Sequence, residues 1–230
     1  CSSDLYPNIL KWVRFRDDVL IFWSGTEGDL KNFTEYANTL HPTLKFEFEI
    51  SNTSVNFLDL TIFKGARFSK SGILDVKIYQ KPTDTNMHLE PNSAHPPGVF
   101  KSMMVGETQR FIRNSNNEQD YITRLNKFKS SLLNRGHNPK KINKFCDIAK
   151  HSNRQTYLGT KITEKKETKP LVFVTKYNER VKNLNPGILK NWDMIQDNPV
   201  LRDLYPTKPM ICYSRHANIA DKLFRSRLIT

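Results

Sequence analysis

The chain has 230 residues, enough for one large or two small domains. Only 37% of them are apolar and mean hydropathy is −0.60, which leaves a modest core and no window near the ~20 apolar residues that a membrane span needs. Formal net charge is +13, and the three cysteines, Cys1, Cys146 and Cys212, are odd in number and widely spaced, which argues against a disulfide framework or a complete zinc site and fits a reducing compartment.

No signal-peptide pattern opens the chain. It begins with Cys1 rather than Met, so it reads as an internal piece of a longer protein. Residues 10–24 predict a β-hairpin, with KWVRF and VLIFW as strands and RDD as the turn. Leu30, Phe33, Tyr36, Ala37 and Leu40 then recur at helical spacing until Pro42 stops the run. Three further strands are expected: LKFEFEI, NFLDLTIF and GILDVKIYQ. The first alternates Leu44, Phe46, Phe48 and Ile50 against Lys45, Glu47 and Glu49, the pattern of a sheet with one wet face. Asp59, between Leu58 and Leu60, falls on that wet face and reads as structural.

Residues 82–99 hold four prolines and read as a loop. A helix is expected over Ser102–Arg113. A second starts near Asn117, with Tyr121, Leu125, Phe128 and Leu132 on one stripe and Gly136 as its C′ residue. Asn138 caps a third, with Pro139 at its first position and Ile142, Phe145 and Ala149 as its apolar face. Residues 152–170 are polar and read as a mobile segment. PLVFVTKY predicts one more strand, Asn185–Pro186 and Asn198–Pro199 open two short helices, and Arg215–Leu228 reads as a basic helix. The fold class is therefore α+β: a strand-rich unit of roughly ninety residues followed by a mostly α-helical basic region.

The charge is divided unevenly along this plan. Residues 1–95 hold 10 Lys/Arg against 12 Asp/Glu, a net of −2; residues 96–230 hold 26 against 11, a net of +15. Such an asymmetry usually marks a half that binds a polyanion, nucleic acid foremost; a basic surface with no partner is the alternative.

The turn at Asp17 and Asp18 raises a chemical question. Two carboxylates sit between strongly apolar strands, with no glycine to make the usual tight hairpin turn. A plain Asp turn is one reading. Metal binding is the other: Mg²⁺ takes hard oxygen ligands, and a turn between rigid strands can hold carboxylates where ions share a triphosphate. His88, His95, His137 and His151 lack metal-ligand spacing and read as polar loop residues.

FRDD (Phe15–Asp18) resembles the aromatic-x-Asp-Asp hairpin of reverse-transcriptase palms. NFLDLTI (Asn56–Ile62), YQKPTDTNMHL (Tyr79–Leu89), HPP (His95–Pro97) and NRGHNPKKI (Asn134–Ile142) are similar to reverse transcriptases of Penelope-like retroelements. The block from PLVFVTKY to RHANIADKL resembles the segment that joins that enzyme to its GIY-YIG endonuclease.

The resemblance covers nearly the whole chain. It implies a partial palm over 1–95, a helical thumb or helix-turn-helix region over 96–151, and a connection segment over 152–230 that precedes a missing endonuclease module. It further implies that Asp17 and Asp18 are catalytic residues that bind Mg²⁺ or Mn²⁺. Asp17 is at the position that usually contacts metal directly, and Phe15 stands where Tyr is more frequent.

The partners implied are an RNA template and a DNA primer, with a deoxynucleoside triphosphate in the full-length enzyme, at an intracellular, nuclear location. The first catalytic Asp and the fingers lie outside this stretch, so no polymerase activity is expected of it alone. The candidate nucleic-acid contacts are Lys81, Arg110, Arg113, Arg124, Lys127, Lys129, Arg135, Lys140 and Lys141. As a thumb they would lie beside phosphates without reading sequence. A non-catalytic helix-turn-helix remnant that binds nucleic acid is the alternative, and a basic protein–protein scaffold is a third.

Overall fold

Two runs of apolar residues around Arg16 and Asp17 pair as an antiparallel hairpin. Strand β1 covers Ile9–Phe15 and β2 covers Asp18–Trp23, with Phe15 opposite Asp18 as the closing pair. The turn is thus the two residues Arg16 and Asp17, not the three expected, and Asp18 already belongs to β2. The computed structural model describes residues 7–150, 153–159, 170–178 and 184–214. Cys1, His151 and the basic segment 215–228 lie outside the described residues, as do residues 152 and 160–169 of the polar stretch.

Helix α1, Glu27–Ala37, starts at a capping box: Thr26 accepts from the Asp29 N–H, and the Asp29 carboxylate accepts from the Thr26 N–H. Such a cap stabilises a helix by about 1 kcal/mol. Its buried Phe33 packs on Trp23 of β2, ring centroids 5.5 Å apart.

Residues 44–50 depart from expectation. They join no sheet, because an alternating pattern makes a strand only where another strand accepts its hydrogen bonds, and none does so among the described residues. The Asn38 side chain takes that place at one residue: its Oδ1 accepts from the Phe46 N–H at 2.6 Å and its Nδ2 donates to the Phe46 carbonyl at 3.1 Å.

NFLDLTIF also differs. It is two strands, β3 (Ser54–Phe57) and β4 (Leu60–Phe63), folded back at Leu58–Asp59, where Leu58 takes φ +56°. A short helix α2, Phe68–Ser71, precedes β5, Asp75–Ile78, and the sheet order is β3-β4-β5, all antiparallel. Asn116 closes the outer edge of β5: its N–H donates to the Val76 carbonyl at 2.9 Å and its Oδ1 accepts from the Val76 N–H at 2.8 Å.

Helix α3 runs Pro97–Arg113, five residues earlier than the pattern indicated, because proline is well suited to a first helical turn. Helix α4 runs Glu118–Asn134 and α5 runs Pro139–Lys150, both where expected. Beyond them come α6 (Arg154–Leu158), β6 (Val172–Lys176), α7 (Leu184–Lys190), α8 (Asp193–Gln196), α9 (Pro199–Leu204) and β7 (Met210–Ser214). Strands β6 and β7 are parallel, Val174 opposite Cys212, and Tyr177 meets Tyr213 edge-on at 5.4 Å. Strand β7 was not expected from the sequence. The element set is that of an α+β fold.

The chain divides into two compact units. One holds Cys1–Met87, Glu107–Leu132 and Ala149–Leu158; the other holds His88–Gly106, Leu133–Ile148 and Gly159–Thr230. In the first, Phe111 and Phe128 meet edge-on at 5.5 Å, with Thr108, Leu125 and Leu132 also buried. In the second, Met104, Ile142, Cys146, Trp192 and His137 are buried, and Phe100 meets the His137 ring at 5.9 Å.

Candidate functional site

The carboxylate turn is built by the β1–β2 register. Arg16 takes φ +53°, a left-handed conformation that costs an ordinary residue roughly 1 kcal/mol. Two contacts hold it: Arg14 Nε donates to the Arg16 carbonyl at 2.8 Å, and the Arg16 guanidinium lies 5.8 Å from the Phe15 ring centre. Asp17 and Asp18 are both exposed. Among the described residues no group of three or more His, Cys, Asp or Glu side chains could hold a metal ion. Two adjacent hard-oxygen groups still suit Mg²⁺, which is commonly bound by one or two carboxylates with phosphates and water completing the shell.

The basic residues fall into two sets. Arg110 on α3 donates from Nε and Nη2 to Asp59, each at 2.9 Å, and from Nη1 to Glu107 at 3.2 Å. Burial pulls the Arg110 guanidinium pKa down, but the hydrogen bond to Asp59 and the charges of Glu107 and Asp59 together raise it above its ordinary value.

Arg124 on α4 donates from Nη1 to Gln80 at 2.6 Å and to Asn86 at 3.2 Å, and lies 5.3 Å from the Phe111 ring centre. Burial lowers its pKa, with Asp84 and Glu107 opposing and Arg110 adding to the fall. Lys127 donates to Gln80 Oε1 at 2.9 Å. Arg135 donates to Glu90 at 2.6 Å. These four cations are engaged within the chain: Arg110 ties the β3–β4 turn to α3, and Arg124, Lys127 and Arg135 fasten residues 80–90 to α4 and the turn after it.

The second set faces solvent. Lys81, Arg113, Lys140, Lys141 and Lys144 are exposed; Lys129 is half-buried and has an interaction of its own. Arg113 Nε reaches the side chain of its neighbour Asn114 at 3.2 Å, and its carbonyl accepts from Arg154 at 3.0 Å. On α5, Lys140, Lys141 and Lys144 lie across the helix from buried Ile142 and Cys146, as a 3.6-residue period requires.

The α4–α5 connection has the length and chemistry of a helix-turn-helix. Gly136 takes φ +82° and returns its N–H to the Leu133 carbonyl at 2.9 Å. His137 Nε2 meets the Leu89 carbonyl at 2.7 Å. Asn138 Oδ1 then accepts from the N–H groups of Lys140 (2.9 Å) and Lys141 (3.3 Å), which caps α5.

Gln80, Asn86 and Glu90 were missed as organising residues by sequence reasoning, which weighed Asp84 as part of a capped turn or a primer contact. The signal present was polar density in KPTDTN; Asn86 takes φ +52°, with its N–H on Asp84 Oδ1 at 2.8 Å.

Residues 87–145 match the family model of the animal helix-turn-helix domain. No curated protein and no solved structure matches the chain. A helix-turn-helix is a nucleic-acid-binding motif, and this match is compatible with that role. No helix among the described residues is long and apolar enough to cross a membrane.

Proposed function

We propose that this chain is a nucleic-acid-binding fragment of a retroelement RNA-directed DNA polymerase of the Penelope-like kind. The observation that supports binding most directly is that the helix-turn-helix match, residues 87–145, falls almost wholly in the part of the chain carrying a net charge of +15. The lysine face of α5, Lys140, Lys141 and Lys144, is the best-placed phosphate contact, since each ammonium is exposed and Asn138 already occupies two of the helix's first N–H groups. Lysine acts there as a point charge, which positions a duplex without reading its bases.

The finer reading assigns residues 1–95 to a palm, 96–151 to a thumb and 152–230 to a connection, with RNA template and DNA primer as partners inside the nucleus. Asp17 and Asp18 would hold Mg²⁺ or Mn²⁺, whose bound charge stabilises the attacking 3′ oxygen and the leaving pyrophosphate of an incoming nucleotide. The chain's own part is to fix the two carboxylates at a hairpin tip whose strands set their spacing.

A non-catalytic binding module is the second reading. It draws on the helix-turn-helix match over residues 87–145.

The test is anisotropy with a labelled RNA–DNA hybrid over a salt series. Each neutralised phosphate adds about 0.9 to the slope of log K against log salt, so the K140A/K141A/K144A variant is expected to lose about 2–3 units of slope. No binding at low salt removes both readings. Mn²⁺ relaxation enhancement, measured with hybrid bound, separates them: the polymerase reading requires that Asp17→Asn with Asp18→Asn abolish it.

A further inference from the structure

We propose that residues 44–50, LKFEFEI, form a self-recognition strand that pairs antiparallel with the same segment of a second copy of this chain. The segment takes no backbone–backbone hydrogen bond among the described residues, and Leu44, Phe46, Phe48 and Ile50 are all exposed. The Asn38 amide bonds both backbone groups of Phe46, which is possible only where those groups point the same way, as in a strand. Phe46 and Phe48 rings lie 6.3 Å apart, as next neighbours on one strand face do.

This clamp occupies the edge formed by the even-numbered residues. The other edge, presented by Lys45, Glu47 and Glu49, is open among the described residues. An antiparallel pair made on that edge about a two-fold axis at Glu47 sets Lys45 opposite Glu49 twice, Phe46 opposite Phe48 twice and Leu44 opposite Ile50 twice. Every charged position but one meets its opposite, and the apolar positions share one face. The contact is isologous, so it closes at two copies. Glu47 against Glu47 is the one repulsive pair, and a short two-stranded ribbon is marginal in water, so the association is weak and reversible. Lys45 also donates to the Asn38 carbonyl at 2.5 Å, which holds it on this segment.

Sedimentation equilibrium of the full chain at concentrations up to about 0.3 mM tests the pairing. A monomer–dimer equilibrium is expected. Lys45→Glu or Glu49→Lys alone weakens it by about tenfold, since each places like charges opposite one another twice. The double variant K45E/E49K restores it to within about threefold, and Glu47→Thr strengthens it. A monomer at every concentration overturns the proposal, as does a dimer that ignores the single reversals or one that the double variant does not restore. Circular dichroism of each variant confirms that the fold is kept, since all three side chains are exposed.

Discussion

Both Nε and Nη2 of Arg110 donate to one oxygen, Oδ2 of Asp59, each at 2.9 Å, across 51 residues of sequence. Asp59 sits at the β3–β4 turn and Arg110 on α3, so this pair fixes the turn to the helix. Asn114 adds a bond to the same oxygen at 3.3 Å. Arg110→Met is expected to destabilise the chain by about 1 kcal/mol, at the lower end for a charged hydrogen bond because both side chains are more than a third exposed. Urea unfolding midpoints measure it. The raised pKa of Arg110 keeps it charged at every pH in ordinary use, so the loss is expected to be the same at pH 6 and pH 8.

Two glycines respond oppositely to alanine. Gly106 lies inside α3 with nothing within 4 Å of an added Cβ, so Gly106→Ala is expected to stabilise by about 0.5–1 kcal/mol. Gly136 has room as well, its nearest neighbour being Pro91 at 4.0 Å, but its φ of +82° disfavours any Cβ. Gly136→Ala is therefore expected to cost about 1–2 kcal/mol, all of it from the local backbone and none from a clash with Pro91. Thermal melts of the two variants should move in opposite directions from the parent.

The aromatic centre of the first unit sets the largest loss. Phe111 is 1% exposed and meets Phe128 edge-on. Phe111→Ala is expected to destabilise by about 3–5 kcal/mol, whereas Phe111→Leu should retain most of the packing. The comparison of denaturant midpoints checks both.

Tyr121 gives an alkaline signature. Burial pushes its hydroxyl pKa above 10.0, and Glu118 adds to the rise through charge and a hydrogen bond. The folded value exceeds the unfolded one, so this contribution is full below pH 10 and is lost as pH climbs through the folded value. Tyr121→Phe is expected to shrink the fall in stability between about pH 9 and pH 11, measured as the difference in urea midpoint at the two.

Helices α4 and α5 were legible because burial leaves a stripe: Leu125, Phe128 and Leu132 on one, Ile142 on the other, with Asn138–Pro139 marking a start. The start of α3 was not, since Pro96 and Pro97 serve a loop and a first turn equally well. The first hairpin was legible from its two apolar runs, but not the residue that turns. A left-handed arginine leaves no pattern, and Arg16 is held by Arg14 and Phe15 rather than by its own preference.

Residues 44–50 show the limit most plainly. Alternation specifies a face, whereas a strand also needs a partner, which no local window contains. The same limit applies to the cations. Composition puts positive charge beyond residue 95, but only the fold separates Arg110, Arg124, Lys127 and Arg135, engaged with Asp59, Gln80 and Glu90, from the α5 lysines that face solvent. Strand β7 was missed because a parallel pair forms through a long crossover that leaves no turn signal between its members.

That engagement divides the cations by their reactivity. Amine-directed acylation will find the α5 lysines open and will strip charge from them without disturbing what lies beneath. Dicarbonyl reagents, which seek guanidinium groups, will label exposed Arg16 and Arg113 first, and will reach Arg110 and Arg124, held by carboxylates and amides, more slowly until the molecule loosens. The order in which the guanidinium groups react thus reports loss of shape.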